Sequence, residues 1–225
     1  AIIRRITMMQ LDVFVGSELR AGDALQRTLD KVGQALHADT REGVVRKYFL
    51  MQPGERLDPD ALADTERLLR GTSFLREAEI VPLEVEGSAD SVDLLVVTRD
   101  RWSLGVDVKV NSLSRADVRL ADRNFGGWGH TAESEFQIDT EADPVVGLVA
   151  SYRVDNLYGT FVRNRYELRS TARETAGRFE LARARVAPQI RTTGALDVAI
   201  RDLEAAGPAE PERAFLESRL WLGRA

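Results

Sequence analysis

The sequence predicts an α+β domain followed by a long antiparallel β-sheet. Helical stripes alternate with short strands over roughly the first hundred residues, and from Ser103 onward apolar and polar residues alternate with a period of two. Composition agrees with a folded chain. Of 225 residues, 44% are hydrophobic and 30% charged, so global disorder is excluded.

The first strand is expected over 1–13, AIIRRITMMQLDV, with Ile2, Ile3, Ile6, Met8 and Val13 supplying apolar bulk. A helical insertion at about 14–39 follows, because Leu25, Leu29, Val32 and Leu36 recur at spacings of 4, 3 and 4. Thr40 is placed to cap a helix that puts Val44, Val45, Tyr48 and Phe49 on one face, and Pro53-Gly54 breaks it. Asp58-Pro59 starts the next helix, which is expected to bury Leu62, Leu68 and Leu69 and to stop at Gly71 in a left-handed conformation. Two strands, 77–85 and 91–99, close the region around a turn at 87–90.

Residues 40–101 resemble a POTRA domain of outer-membrane assembly proteins. The likeness rests on an ordered set: Arg46 to Phe49 followed by Gly54-Glu55-Arg56-Leu57-Asp58, then Glu66-Arg67-Leu68-Leu69, Phe74-Leu75-Arg76-Glu77-Ala78, and Val92-Asp93-Leu94-Leu95-Val96-Val97. The insertion before the first matched helix is longer than such domains usually carry.

In the second half, Leu104, Val106, Val108 and Val110 share one face while Asp107, Lys109 and Asn111 share the other. The same pattern runs through 115–120, 131–139 and 160–169, more weakly through 148–154 and 196–201, and 177–187 is mixed. Alternation alone leaves a soluble antiparallel sheet and a barrel wall equally open. Between two of these strands, Asn124-Phe125-Gly126-Gly127-Trp128-Gly129 resembles the reversal that joins the first barrel strands of the BamA/TamA-like superfamily (bacterial surface antigen type).

The resemblance implies a POTRA-like periplasmic domain at 1–101 and, at 102–225, the first strands of an incomplete transmembrane β-barrel. It implies outer-membrane protein assembly, insertion or translocation, with unfolded outer-membrane proteins as substrates and outer-membrane lipid around the barrel. Periplasmic accessory proteins are further partners it allows. On this reading the apolar face meets lipid, Arg163, Arg165, Glu167 and Arg169 face a wet lumen, and Phe125 and Trp128 sit at the membrane–water interface. The barrel seam and first turn would involve Leu104, Val106, Val108, Asn124, Phe125, Gly126, Gly127, Trp128 and Gly129. About seven alternating segments are too few for a closed barrel, so the sequence is expected to be the N-terminal part of a longer protein. The superfamily's Val-Arg-Gly-aromatic motif is missing. A related secretion or lipid-handling barrel, or a soluble periplasmic module with an α+β domain and a β-sandwich, stand as alternatives.

Chemistry is sparse. There is no cysteine, which removes disulfides and thiolate sites. Two histidines, His37 and His130, lack metal-ligand spacing and are expected at the surface or an interface. No nucleophile, phosphate-loop or zinc motif is present, so no enzyme activity and no cofactor or metal is expected. A net charge of −5 disfavours nucleic acid. The segment AIIRRITMMQ lacks a signal peptide's apolar core, so any export signal is expected outside this sequence. The remaining functional surface is backbone. The edge strand 77–85, through Glu79, Ile80, Val81, Leu83 and Val85, is expected to pair with an incoming unfolded strand, opposed by its own charges and by Pro82.

Overall fold

A computed structural model describes residues 1–11, 38–203 and 213–224. The expected helical insertion, His37 and most of the loop at 207–214 lie outside the described residues. The chain forms two compact units, one of Ala1–Ser103 with Gly126–Gly129, the other of Leu104–Phe125 with His130–Ala225.

The first unit holds β1 (Ile2–Leu11), α1 (Glu42–Arg46), α2 (Pro59–Arg70), β2 (Leu75–Val85) and β3 (Ser88–Asp100). The strands form a three-stranded sheet in the order β1-β3-β2. β3 lies in the middle, parallel to β1 and antiparallel to β2. Its Val92, Leu94 and Val96 are buried in line with Ile3 and Ile6 on one side and Ile80 on the other. Val44, Val45, Tyr48, Ala61, Leu69 and Phe74 are buried with them, and Tyr48 meets Phe74 edge-on at 6.1 Å. This is a packed core with helices on one face of the sheet.

Several local expectations are corrected. Thr40 does not cap α1; Arg41 occupies that position without a side-chain bond, and the buried Thr40 amide donates to Asp100 Oδ2 at 2.7 Å. Asp58 does cap α2, accepting from the Asp60 amide. Gly71 ends that helix at φ −78°, an ordinary right-handed conformation. The buried stripe of α2 is Ala61-Thr65-Leu69 at i, i+4, i+8, with Leu62 and Leu68 half-buried at its flanks. The β2–β3 turn is Glu86-Gly87, earlier and tighter than 87–90.

The second unit is one eight-stranded antiparallel sheet of sequential neighbours. It comprises β4 (Leu104–Val110), β5 (Arg115–Asp122), β6 (Thr131–Asp139), β7 (Val146–Val154), β8 (Val162–Ser170), β9 (Glu174–Arg183), β10 (Thr192–Leu203) and β11 (Arg213–Arg224). The sequence suggested about seven segments. The mixed stretch resolves into a regular β9, and the weak one into the 12-residue β10. The sheet is not closed: β4 and β11 are both edges.

Candidate functional site

The two edges of the small sheet differ. The outer edge of β1 is covered at its start: the Ile3 amide donates to Glu55 O at 2.9 Å, and the Gly54 amide donates to Ile3 O at 2.7 Å. Leu57 N donates to Ala1 O, and Arg46 Nη2 reaches Ile6 O. On β2, the Ile80 amide donates to Glu66 Oε2 of α2 at 3.2 Å, so it points away from β3. Amides of an antiparallel strand alternate in direction, which turns those of Ala78 and Ile80, with the position of Pro82, to the outer side. Of these three positions one amide is engaged by Glu66 and one has no N–H. The expected docking residues therefore divide. Glu79 and Leu83 are exposed, Val81 and Val85 half-buried, and the Ile80 side chain is buried in the core. Glu66 had no distinguishing signal in the sequence; a Glu four residues before Arg70 reads as a helix-surface pair, and that pair also forms, at 2.6 Å.

The large sheet separates its residues by face. Ladder registers place Val106, Leu120, Ser134, Ala150, Leu168, Gly177, Ile200 and Leu216 along one row of one face, strand after strand. Neighbouring rows carry Val108, Val118, Phe136, Leu148 and Tyr166, Phe179, Val198. Charged residues reach this face only near strand ends, at Asp122, Arg183, Asp202 and Arg224. Several of these side chains are uncovered: Val106 is 68% exposed, Leu168 66%, Ile200 61% and Leu216 73%.

The opposite face is charged and paired. Arg119 meets Glu135 at 2.5 Å across β5 and β6, Arg178 meets Asp197 at 2.7 Å across β9 and β10, and Arg165 meets Glu167 at 2.8 Å. Arg163 pairs with Asp155, and Arg169 with Glu174. Among the described residues no group of three or more His, Cys, Asp or Glu side chains is placed to hold a metal, and no helix is long and apolar enough to cross a membrane.

Along β4, Val106 and Val108 lie exposed on the apolar face and Leu104 is half-buried. The Asn124–Gly129 segment is more constrained than a hairpin tip. Asn124 is buried, its amide donating to Asp122 Oδ1, and a short 3₁₀ turn follows at Phe125–Gly127. Gly126–Gly129 belongs to the first unit. Gly127 has φ +74°, and a Cβ there would lie 2.3 Å from Asp39 O; at Gly129, φ +67°, it would lie 2.8 Å from Phe74 Cε1 and Val44 Cγ1. The Gly127 carbonyl accepts from the Arg41 amide, and the Arg41 guanidinium lies 3.7 Å over the Trp128 ring. Close approach by a packed core thus requires these glycines, in addition to any reversal of the chain. Phe125 is half-exposed and meets Tyr152 edge-on; His130 Nδ1 hydrogen-bonds Tyr152 Oη at 2.5 Å.

An open sheet of sequential antiparallel neighbours, apolar and exposed on one face and ion-paired on the other, has the fold of part of a barrel wall. A solved structure shares this fold. BamA from Haemophilus ducreyi lacking POTRA domains 1-3 is similar at 14% identity and TM-score 0.54, over 98% of this chain and 43% of that one. CdiB from Acinetobacter baumannii is similar at 9% identity and TM-score 0.43, over 96% of this chain and 39% of that one. The chain thus spans less than half the length of either structure. No family model matches it, and no curated protein matches its sequence.

Proposed function

We propose that this chain is part of an outer-membrane protein that assembles, inserts or translocates other outer-membrane proteins. Residues 1–101 act as a POTRA-like periplasmic domain, and residues 102–225 supply N-terminal strands of a transmembrane barrel. The observation that carries this reading is the continuous, nearly charge-free apolar face across eight strands, on which Val106, Val108, Leu168, Ile200 and Leu216 are each more than 60% exposed. A soluble two-layer sandwich would bury such a face against a second layer. The seven residues of β4 span roughly 20 Å at ~3.4 Å each, comparable with the apolar band of about 25 Å on membrane barrels. In the barrel the charged face lines a wet interior.

The work is mechanical and needs no cofactor. In the first unit the β2 edge receives an unfolded substrate strand, while the β1 edge is blunted by residues 54–57. In the second, the unpaired edge of β4 serves as a seam onto which substrate strands are templated. The same architecture would serve a secretion or lipid-handling barrel, and cargo trapping distinguishes these roles.

The test is vesicle flotation. The full chain, refolded from urea, is mixed with phosphatidylcholine vesicles, and the fraction that floats with lipid is compared with that of the Val106→Lys/Val108→Lys double variant. Each lysine is expected to cost about 2–4 kcal/mol near the bilayer midplane, enough to abolish insertion. A wild-type chain that stays in the aqueous phase, or a double variant that floats equally well, sinks the lipid-facing assignment.

A further inference from the structure

At the sheet end where the chain enters β4, the apolar face holds a cleft between β8 and β11. Val162, Leu181, Leu196 and Leu222 line it, with Gly194 between them and Arg183 at its rim. The registers Arg183↔Gly194 and Thr192↔Arg224 place Arg183, Thr192 and Arg224 together on that face, one step beyond the apolar lining. Gly194 carries no side chain, and Leu222 leans over it: a Cβ there would come 2.8 Å from Leu222 Cδ2.

The two arginines differ from the charged-face arginines of β5 to β10, although Arg213 and Arg219 on the charged face of β11 are also without an ion pair among the described residues. On β5 to β10, Arg115, Arg119, Arg163, Arg165, Arg178 and Arg201 each pair with a carboxylate. Among the described residues neither Arg183 nor Arg224 has an ion pair. The Arg183 Nη1 donates to Thr192 Oγ1 at 2.7 Å, while its Nε is shielded from solvent and makes no hydrogen bond. A cation beside lipid-facing apolar surface is costly unless it reaches a polar layer or an anion, and here two cations share one end of the apolar face.

We infer that this cleft is a binding site for an anionic phospholipid. One acyl chain lies along Val162, Leu181, Leu196 and Leu222, and the phosphate is held by Arg183 and Arg224 with the Thr192 hydroxyl beside it. Guanidinium suits this task because its planar donors match phosphate oxygens in pairs. The inference rests on the lipid-facing reading of this face, and goes beyond it by naming a headgroup charge and a location.

The full chain is reconstituted into vesicles of phosphatidylcholine and phosphatidylglycerol with identical acyl chains, extracted in mild detergent, and its retained lipid quantified by mass spectrometry. The wild type is expected to retain phosphatidylglycerol several-fold above its share of the bilayer. Arg183→Gln/Arg224→Gln is expected to retain it at the bulk ratio, while Arg201→Gln, on the charged face, keeps the enrichment. Incorporation without enrichment in the wild type, or enrichment unchanged in the double variant, overturns the site alone. Failure to incorporate into either lipid overturns the lipid-facing reading and the site with it. Equal loss in Arg201→Gln would reduce the effect to net charge and also overturn the site.

Discussion

Both sheets are built from alternating strands, but they dispose of their apolar faces in opposite ways. In the small sheet, Val92, Leu94 and Val96 of β3 are closed over by α1, α2 and Phe74, and Leu94 is 1% exposed. In the large sheet no layer closes over the equivalent row, where Val106, Leu168, Ile200 and Leu216 stay more than 60% exposed, and its order is carried by ladder hydrogen bonds and by ion pairs on the other face. On the proposed reading, one pattern serves two solvents. The small sheet brings its own apolar phase, and in the proposed function the bilayer supplies one to the large sheet.

The largest effect expected from this contrast is on the small core. Leu94→Ala should destabilise the first unit by about 2–5 kcal/mol, through lost burial and the cavity left behind. Urea unfolding of the full chain, followed by amide exchange on β3, measures it. Leu168→Ala, a similar truncation on the large sheet, should leave unfolding in water nearly unchanged. Equal losses at the two positions would break the comparison.

Gly129 sharpens it from another side, since its neighbours belong to the small core although the residue lies between β5 and β6. Gly129→Ala puts a Cβ against Phe74 and Val44 at positive φ, and should cost about 1–3 kcal/mol in the first unit. A stability loss read on β3 amides is the expected signature, and no loss there would show that the core yields to the extra methyl.

Much of this was legible in the sequence because alternation is local. The sides of Val106, Val118, Phe136, Tyr166 and Leu168 follow from period two alone, and the ladder registers join them into one face. The Asp58 cap and the Pro59 helix start were equally readable. What escaped depends on residues distant in sequence. Thr40 reads as a cap because nothing nearby reveals that Asp100 takes its amide. Leu62 and Leu68 read as core because a leucine outranks the Ala61-Thr65-Leu69 stripe until the sheet behind α2 is known. The Arg41 guanidinium over the Trp128 ring has no local signal either, because the two residues lie 87 positions apart. The Glu66 bond to Ile80 is of the same kind.

That bond gives a smaller and more specific expectation. If the β2 edge receives strands, Glu66 occupies the donor an incoming carbonyl would use and must withdraw first. Removing it by Glu66→Ala should raise affinity for an extended peptide with the sequence of β11 by roughly fivefold, the worth of about 1 kcal/mol, as one net hydrogen bond. Titration by fluorescence anisotropy reads this. Binding by the wild type with no gain in the variant would leave the edge as a docking site without a latch, and binding by neither would remove β2 from the mechanism.

The smallest expected effect concerns one anion in the small sheet and is confined to acid. Asp93, buried on β3, accepts from Arg4 Nε at 2.8 Å and Nη2 at 2.5 Å, and from Arg5 Nη2 at 2.8 Å. Two converging guanidiniums favour the carboxylate, and its pKa is lowered to about 2 from the ordinary 3.8. A pKa lowered by folding means that the charged form stabilises the native state. This contribution is complete above the unfolded value, and fades as pH falls from about 4 through 2. Both arginines are more than half exposed, so solvent screens the pair and the effect stays modest. In Asp93→Asn the slope of first-unit stability between pH 4 and 2 should flatten, and the wild-type and variant curves should approach each other toward pH 2. Amide exchange on β1 and β3 follows it, because only local probes separate the small sheet from the rest of the chain. Parallel curves across that window would remove Asp93 as the acid-sensitive element of the small sheet, and with it this distinction between the two sheets.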